Sequence, residues 1–201
     1  MKVALVGAGG IGSYAVDIIA DEEIKSSQMP DMHLTVFDDD LVERRNVLYQ
    51  NFDEFHADGM MYKVDALVEQ GYAIDEVVRE RVNTMDQLAD FDVVMIAVDN
   101  VAFRRMVFKA QDKVPYWIDL RAEGRESICI NKDSKMTVDQ LLEITQESLK
   151  PENNTRGCAI EADLQAGLLQ LGNRMAALFG AQALMNHYRG VKKPLKLRCS
   201  F

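Results

Sequence analysis

The chain has 201 residues, 48% hydrophobic and 27% charged, enough for one sizeable core, short for two, and ordinary for a soluble globular protein. A formal net charge of −9 argues against nucleic acid as the main partner, since binding a phosphate backbone needs a positive field. No apolar run is long enough to cross a bilayer, and glycines interrupt the first apolar segment in a way no signal peptide would. The expectation is a single cytoplasmic domain over residues 1–201 with no membrane partner. Cys129, Cys158 and Cys199 form no C-x-x-C pair, and His33, His56 and His187 share no ligand-like spacing with them, so no zinc is expected.

Val3 to Val6 is apolar and runs into Gly7-Ala8-Gly9-Gly10-Ile11-Gly12. This is a G-x-G-x-x-G pattern, followed over Ser13 to Ala20 by an apolar-striped helix. Strand, tight turn and helix in that order suit a nucleotide. Gly7 takes the backbone angles of the turn, Gly9 lets the main chain approach a phosphate, and Gly12 permits close packing of helix on strand. The helix N-terminus adds unpaired N–H groups and a positive dipole end. Gly7, Gly9, Gly10 and Gly12 are therefore candidate cofactor-binding residues, although such turns also close βα junctions that bind nothing.

Asp21 to Asp31, polar and containing Pro30, reads as a loop, and His33 to Phe37 as the second strand. Asp38 at its tip is the candidate for accepting hydrogen bonds from ribose hydroxyls, whereas Asp39 reads as part of a solvated acidic turn. Asp75 to Asn83 reads as a helix end running into a strand, and Phe91 to Val98 as the fourth strand. Val101 to Asp112 is an amphipathic helix, and Val114 to Leu120 a strand that places Trp117 in the core. Arg121 to Gly124 is too short for a crossover helix, so Ser127 to Asn131 is expected to run antiparallel. Thr137 to Leu149 is a further helix, and Lys150 to Gly157 a loop that delivers Cys158. In the helical run Ala166 to Tyr188, small residues such as Gly172, Ala176 and Gly180 suit close helix approach, inside the domain or across a dimer. The tail from Arg189 to Arg198 is a basic strand. These elements predict a Rossmann-like, three-layer α/β domain with a mostly parallel sheet and an antiparallel C-terminal extension.

Several blocks stand in a telling order. Asp38-Asp39-Asp40-Leu41-Val42-Glu43 is followed by Asn46, Tyr49-Gln50-Asn51-Phe52 and Lys63, then by Val98-Asp99-Asn100 with Arg104 five residues beyond Asp99. With the glycine turn, these resemble the ThiF/MoeB family of ubiquitin-activating-enzyme-like adenylyltransferases over roughly Lys2 to Gly190. The resemblance implies ATP as the nucleotide and adenylation as the reaction. The substrate it implies is the C-terminal carboxylate of a small ubiquitin-like or sulfur-carrier protein or peptide. Lys63 is implied on the phosphates, Asp99 on Mg²⁺, Asn46 near the phosphates or ribose, and Arg104 as the family arginine after the T-D-N block. Cys158, ahead of the last long helix, is implied as an acyl acceptor, its thiolate favoured by nearby Arg156. A homodimer is implied as well.

The sequence departs from the pattern at Tyr49, where the family has an arginine before the glutamine. A neutral hydroxyl there replaces a five-donor cation. Arg44 or Arg45 is close enough to substitute, a solvated surface pair being the plainer reading. The 201 residues also open at the first strand, without the arginine-bearing helix that many bacterial members place before it, so the resemblance is to a divergent, N-terminally short member. Two other readings stand beside it. A nicotinamide-dependent oxidoreductase shares the glycine turn and Asp38 but needs a Lys, Tyr or His grouping that is not found. A catalytically degenerate partner-binding module is favoured by Tyr49.

Overall fold

An uninterrupted apolar strand must be covered on both faces, and the first and fourth strands are of this kind. In the computed structural model, which describes residues 1–147, 164–167 and 169–199, they lie side by side within a seven-stranded sheet. Its order is β3 (Glu76–Val78), β2 (His33–Phe37), β1 (Lys2–Val6), β4 (Val93–Ile96), β5 (Tyr116–Glu123), β6 (Glu126–Asn131), β7 (Lys196–Cys199). The first five in this order are parallel, and β6 and β7 are antiparallel to their neighbours, as the sequence predicts.

The helices are α1 (Gly12–Ile19), α2 (Glu22–Gln28), α3 (Glu54–Asp58), α4 (Lys63–Glu69), α5 (Val101–Lys109), α6 (Val138–Glu147) and α7 (Leu171–Tyr188). Val3 and Leu5 point into a core closed by α1, α4 and α7. Ala4 and Val6 point into a second core closed by α5 and α6, where Trp117 is fully buried. Small residues let α7 lie directly on the sheet: a Cβ on Gly172 would stand 2.2 Å from the Glu126 carbonyl oxygen, and one on Gly180 would stand 2.6 Å from Leu120 Cδ1. The small-residue stripe is thus used inside the chain. Among the described residues no helix is long and apolar enough to cross a membrane.

Register sets the site. Val6 pairs with Phe37 on one side and with Ile96 on the other, so β1, β2 and β4 end level. Gly7 then turns with φ of +99°, a conformation open to glycine and strained for other residues. A Cβ on Gly12 would stand 1.9 Å from the Gly7 carbonyl oxygen, which brings α1 back against the tip of its own strand.

Of the tail read as a strand from Arg189 to Arg198, only the part from Lys196 is strand, and two further segments differ from the sequence reading. Asp21 to Asp31 is largely helix, not loop: the Asp21 side chain accepts from the Ile24 N–H (2.9 Å), and Glu22 and Glu23 occupy the first turn. None of α2 is buried, so it has no apolar stripe to betray it. In Asp75 to Asn83 only Glu76–Val78 is strand, and the helix lies further upstream as α4.

The turn after β4 is fixed from inside. Asp119 on β5 is fully buried between Arg104 of α5 and Arg121. Arg121 Nε donates to Asp119 Oδ2 (2.7 Å) and its Nη2 to Thr145 Oγ1 of α6 (3.0 Å). Burial pulls the Arg121 guanidinium down to about 10. Arg104 also donates to the carbonyls of Val98 and Leu120, tying the β4 turn to β5. Arg104 is thus a buried structural cation.

Urea unfolding should separate these constraints. Gly12→Ala is expected to cost about 1–3 kcal/mol, because backbone must move to admit the methyl group. Gly9→Ala, with nothing within 4 Å of the new Cβ, should stay within about 0.5 kcal/mol of wild type. Asp119→Ala strands two buried cations and should cost about 3–5 kcal/mol. Asp39→Ala breaks only an exposed pair with Arg81 and should cost less than about 1 kcal/mol.

Candidate functional site: a cleft over the strand tips

From β1 the chain passes to β2 on one side, and from β3 it crosses to β4 on the other. The tips of β1 and β4 therefore flank a topological switch point, where open α/β sheets bind ligands. A cleft of about 670 Å³ opens there. Gly7, Gly9, Asp38, Asn46, Lys63 and Asp99 all line it, so six of the residues singled out in the sequence meet at one place. Gly10 lines it too. Gly12 lies beneath, as the packing contact for Gly7.

Asp38 joins the glycine turn to the β2 tip. Its Oδ2 accepts from the Ala8 N–H (2.7 Å) and its Oδ1 from the Asp40 N–H (2.9 Å). Burial pushes its carboxyl above the usual range, against the pull of the Lys63 charge and of those two amides. Both oxygens keep further lone pairs for a hydroxyl donor.

Lys63 opens α4, and its side chain is only 8% exposed. Its Nζ donates to Asp40 Oδ2 (2.7 Å) while its backbone N–H donates to the Asp40 carbonyl (3.0 Å). Burial alone would lower the ammonium; the Asp38 charge, with the hydrogen bond and charge of Asp40, outweighs it and holds the group above its ordinary value. Lys63 is thus a fixed cation and not a solvated helix residue. Its partner Asp40 lies 23 residues away, and no local pattern singles that aspartate out from its two neighbours.

Asn46 is buried in the tight turn Arg44–Leu48. Its Oδ1 accepts from the Glu43 N–H (2.9 Å), and its Nδ2 donates to the Tyr49 hydroxyl (3.4 Å). Tyr49 and Gln50 also face the cleft. The two neighbouring arginines part company: Arg45 lines the cleft and pairs with Glu43 (2.6 Å), whereas Arg44 pairs with Asp58 (2.5 Å) outside it.

Asp99 is exposed in the cleft between a clamped neighbour and a capping one. Arg104 holds the Val98 carbonyl, and Asn100 Oδ1 accepts from the N–H groups of Ala102 (2.8 Å) and Phe103 (3.1 Å) to cap α5. The carboxylates of Asp38, Asp39 and Asp40 have oxygens within 4.8 Å of one another. Such hard oxygen donors suit Mg²⁺, which takes one or two carboxylates and completes its shell with phosphate and water. Cys158 and Arg156 lie outside the described residues.

Asn173 of α7 is a residue that sequence reasoning missed. It is fully buried, and a Cβ on Gly10 would stand 2.7 Å from its Nδ2. Among the described residues its Oδ1 has no hydrogen-bond partner, and its Nδ2 reaches the Tyr49 carbonyl at 3.5 Å. A signal existed: Asn173 is the one amide in phase with the buried positions Ala176, Ala177 and Gly180.

Known structures share this architecture. E. coli MccB solved with ATP aligns with all of this chain and 60% of its own, at 15% identity and a TM-score of 0.65. The microcin C7 biosynthetic enzyme MccB in complex with N-formylated MccA aligns with all of this chain and 61% of its own, at 14% identity and a TM-score of 0.66. PaaA aligns with all of this chain and 69% of its own, at 17% identity and a TM-score of 0.67. At these identities the likeness is one of fold, and the chain spans about three fifths of the length of the MccB chains. No curated protein matches it. The sequence profile of the ThiF family matches residues 1–186, nearly the whole length, and the chain belongs to the ThiF family.

Proposed function

We propose that this chain uses ATP to adenylate the C-terminal carboxylate of a peptide or of a small ubiquitin-like or sulfur-carrier protein. The observation that carries this reading is the meeting of the Gly9 turn, Asp38, Lys63 and Asp99 in one cleft over adjacent strand tips. The MccB structures, solved with ATP and with N-formylated MccA, support a nucleotide and a peptide as the two ligands.

Each residue then has a task. The backbone of the glycine turn and the N-terminus of α1 receive the phosphates. Asp38 accepts from the ribose hydroxyls, Lys63 offsets charge on the phosphate oxygens, and Asn46 keeps its turn closed against them. An oxygen of the substrate carboxylate attacks the α-phosphorus. The bond from that phosphorus to the bridging oxygen breaks, and pyrophosphate leaves with the electron pair. The protein's share is alignment of the carboxylate and neutralisation of phosphate charge, which together account for most of the rate enhancement in such chemistry. Asp99 is the proposed ligand of Mg²⁺, which when bound would neutralise phosphate charge. Cys158 is the proposed acceptor in a following step, in which its thiolate attacks the acyl carbon and AMP departs. A homodimer and a cytoplasmic location belong to the same reading.

The neutral Tyr49 favours a second reading, a module that binds nucleotide and partner without chemistry. Melting experiments and pyrophosphate exchange divide the cases. Mg·ATP at about 100 times its Kd should stabilise the protein by roughly 2.7 kcal/mol, while NAD should leave the melting temperature unchanged. With a competent peptide or carrier protein, radiolabelled pyrophosphate should exchange into ATP. Lys63→Ala and Asp99→Ala should each slow that exchange by about 100-fold or more. ATP binding without exchange for any partner supports the module, and stabilisation by NAD alone overturns both.

A further inference from the structure

Among the described residues the cleft is lined by six carboxylates, from Asp38, Asp39, Asp40, Glu43, Glu80 and Asp99, against three cations, Arg45, Lys63 and Arg81. Every one of those cations is already matched to a carboxylate in the cleft wall. Lys63 pairs with Asp40 at 2.7 Å, Arg81 with Asp39 at 3.2 Å, and Arg45 with Glu43 at 2.6 Å. A polyphosphate entering such a cleft needs a cation drawn out of its pair. The three differ in how readily they can leave.

Lys63 is buried and pinned to Asp40 through backbone as well as side chain. It meets a ligand where it stands. Arg81 follows β3, two strands away from the glycine turn, and holds Asp39 Oδ1 through both Nε and Nη2 (3.3 and 3.2 Å). Arg45 is different. Although it too holds its partner through two nitrogens, Nε on Glu43 Oε2 (2.6 Å) and Nη2 on Oε1 (3.2 Å), its side chain is 74% exposed and that of Glu43 56%, against 55% and 41% for Arg81 and Asp39, so water competes more strongly for this pair. Its charge is favoured first by the Glu43 hydrogen bond and then by the fields of Tyr49 and Asp40. Arg45 lines the same cleft as Asp40 and Lys63. Arg44, next in the chain, is turned away to Asp58.

We propose that Arg45 is the movable phosphate-binding cation of this site: it releases Glu43 when the nucleotide enters and closes its planar fork on the phosphate oxygens opposite Lys63. A guanidinium matches two phosphate oxygens at once, which a single ammonium does not. The pair with Glu43 keeps the side chain at the cleft wall. This assignment rests on the ATP reading of the cleft.

Calorimetric titration of the full chain with Mg·ATP and with adenosine tests it. Arg45→Ala should weaken Mg·ATP binding about 10- to 100-fold and leave adenosine affinity within about twofold, because adenosine carries no phosphate. Arg44→Ala should bind both as wild type does. Adding Tyr49→Arg to Arg45→Ala returns a guanidinium to the cleft wall and should recover most of the lost affinity. Equal Mg·ATP affinity in wild type and Arg45→Ala overturns the assignment alone, as does an equal loss in Arg44→Ala or a parallel loss of adenosine. A wild-type protein that does not bind Mg·ATP overturns the assignment together with the reading beneath it.

Discussion

Between the Gly7 carbonyl oxygen and the α-carbon of Gly12 there is no room for a methyl group, and the rest of the cleft depends on that contact. It folds α1 back over the end of β1, so the segment between the two glycines lies at the strand tip, where the Ala8 N–H donates to Asp38. The position of α1 then fixes others. Ser13 Oγ accepts from the Asn51 N–H (3.0 Å), and the Asn51 side chain donates to the Tyr72 hydroxyl (2.8 Å), which donates to Asp17 on α1 (2.7 Å). From the other side Asn173 approaches the Tyr49 carbonyl. The wall that carries Arg45, Asn46 and Tyr49 is thus anchored to the same helix that the glycine turn positions. A shift of α1 would disturb both walls together.

The charge of that cleft has a consequence for what enters it. With more carboxylates than cations among the described residues of its walls, the cleft attracts cations before anions. On the proposed reading the fitting ligand is therefore a metal-bound nucleotide, whose own charge has been reduced, and free triphosphate fits poorly. The tension is visible in Asp38. Burial drives its carboxyl toward the neutral form, while Lys63 and the Ala8 and Asp40 amides favour the ionised one. Lys63 shows the converse, its burial outweighed by the carboxylates around it. The two groups stabilise each other's charged forms, and this holds a cation in the wall of an otherwise acidic cleft.

What could be read from the sequence was what lies in local order. Val3 to Gly12 specifies strand, turn and helix within one short stretch, and Asp38 follows from the same motif because the β2 tip sits beside β1. Lys63 was readable only through its order among other blocks; its burial comes from Val64 and Leu67 packing beneath the sheet and from Asp40. Arg104 could not be read as buried, because Asp119, which neutralises it, lies on the next strand of the sheet, and nothing local distinguishes that arginine from its neighbour Arg105. Helix α2 escaped because a helix held by its Asp21 cap and by Lys25 bonds to Ala73 and Asp75 has no apolar period. The small residues of α7 signalled close approach correctly, but a sequence does not say whether the surface approached is a helix, a partner or the backbone of β6.

Asp99 shows how a buried network serves an exposed group. On one side of it Val98 has its carbonyl gripped by Arg104, and on the other Asn100 caps α5 with its side chain. Arg104 is in turn held by Asp119, which Arg121 also binds, and Arg121 reaches Thr145 on α6. The turn after β4 is thereby braced through β5 to the two helices of the second core. On the proposed reading, a carboxylate whose flanking backbone is fixed in this way needs less ordering when a ligand arrives, and a group nearly in place contributes more to charge stabilisation than one that must first be immobilised. The cost is a buried charge network, tolerable because each guanidinium finds both the carboxylate and further oxygen acceptors. Arg45, on the opposite wall, stands on an anchored loop but its own side chain is held only by the exposed Glu43, so on the proposed reading the cleft sets a braced turn at the β4 tip against one movable side chain.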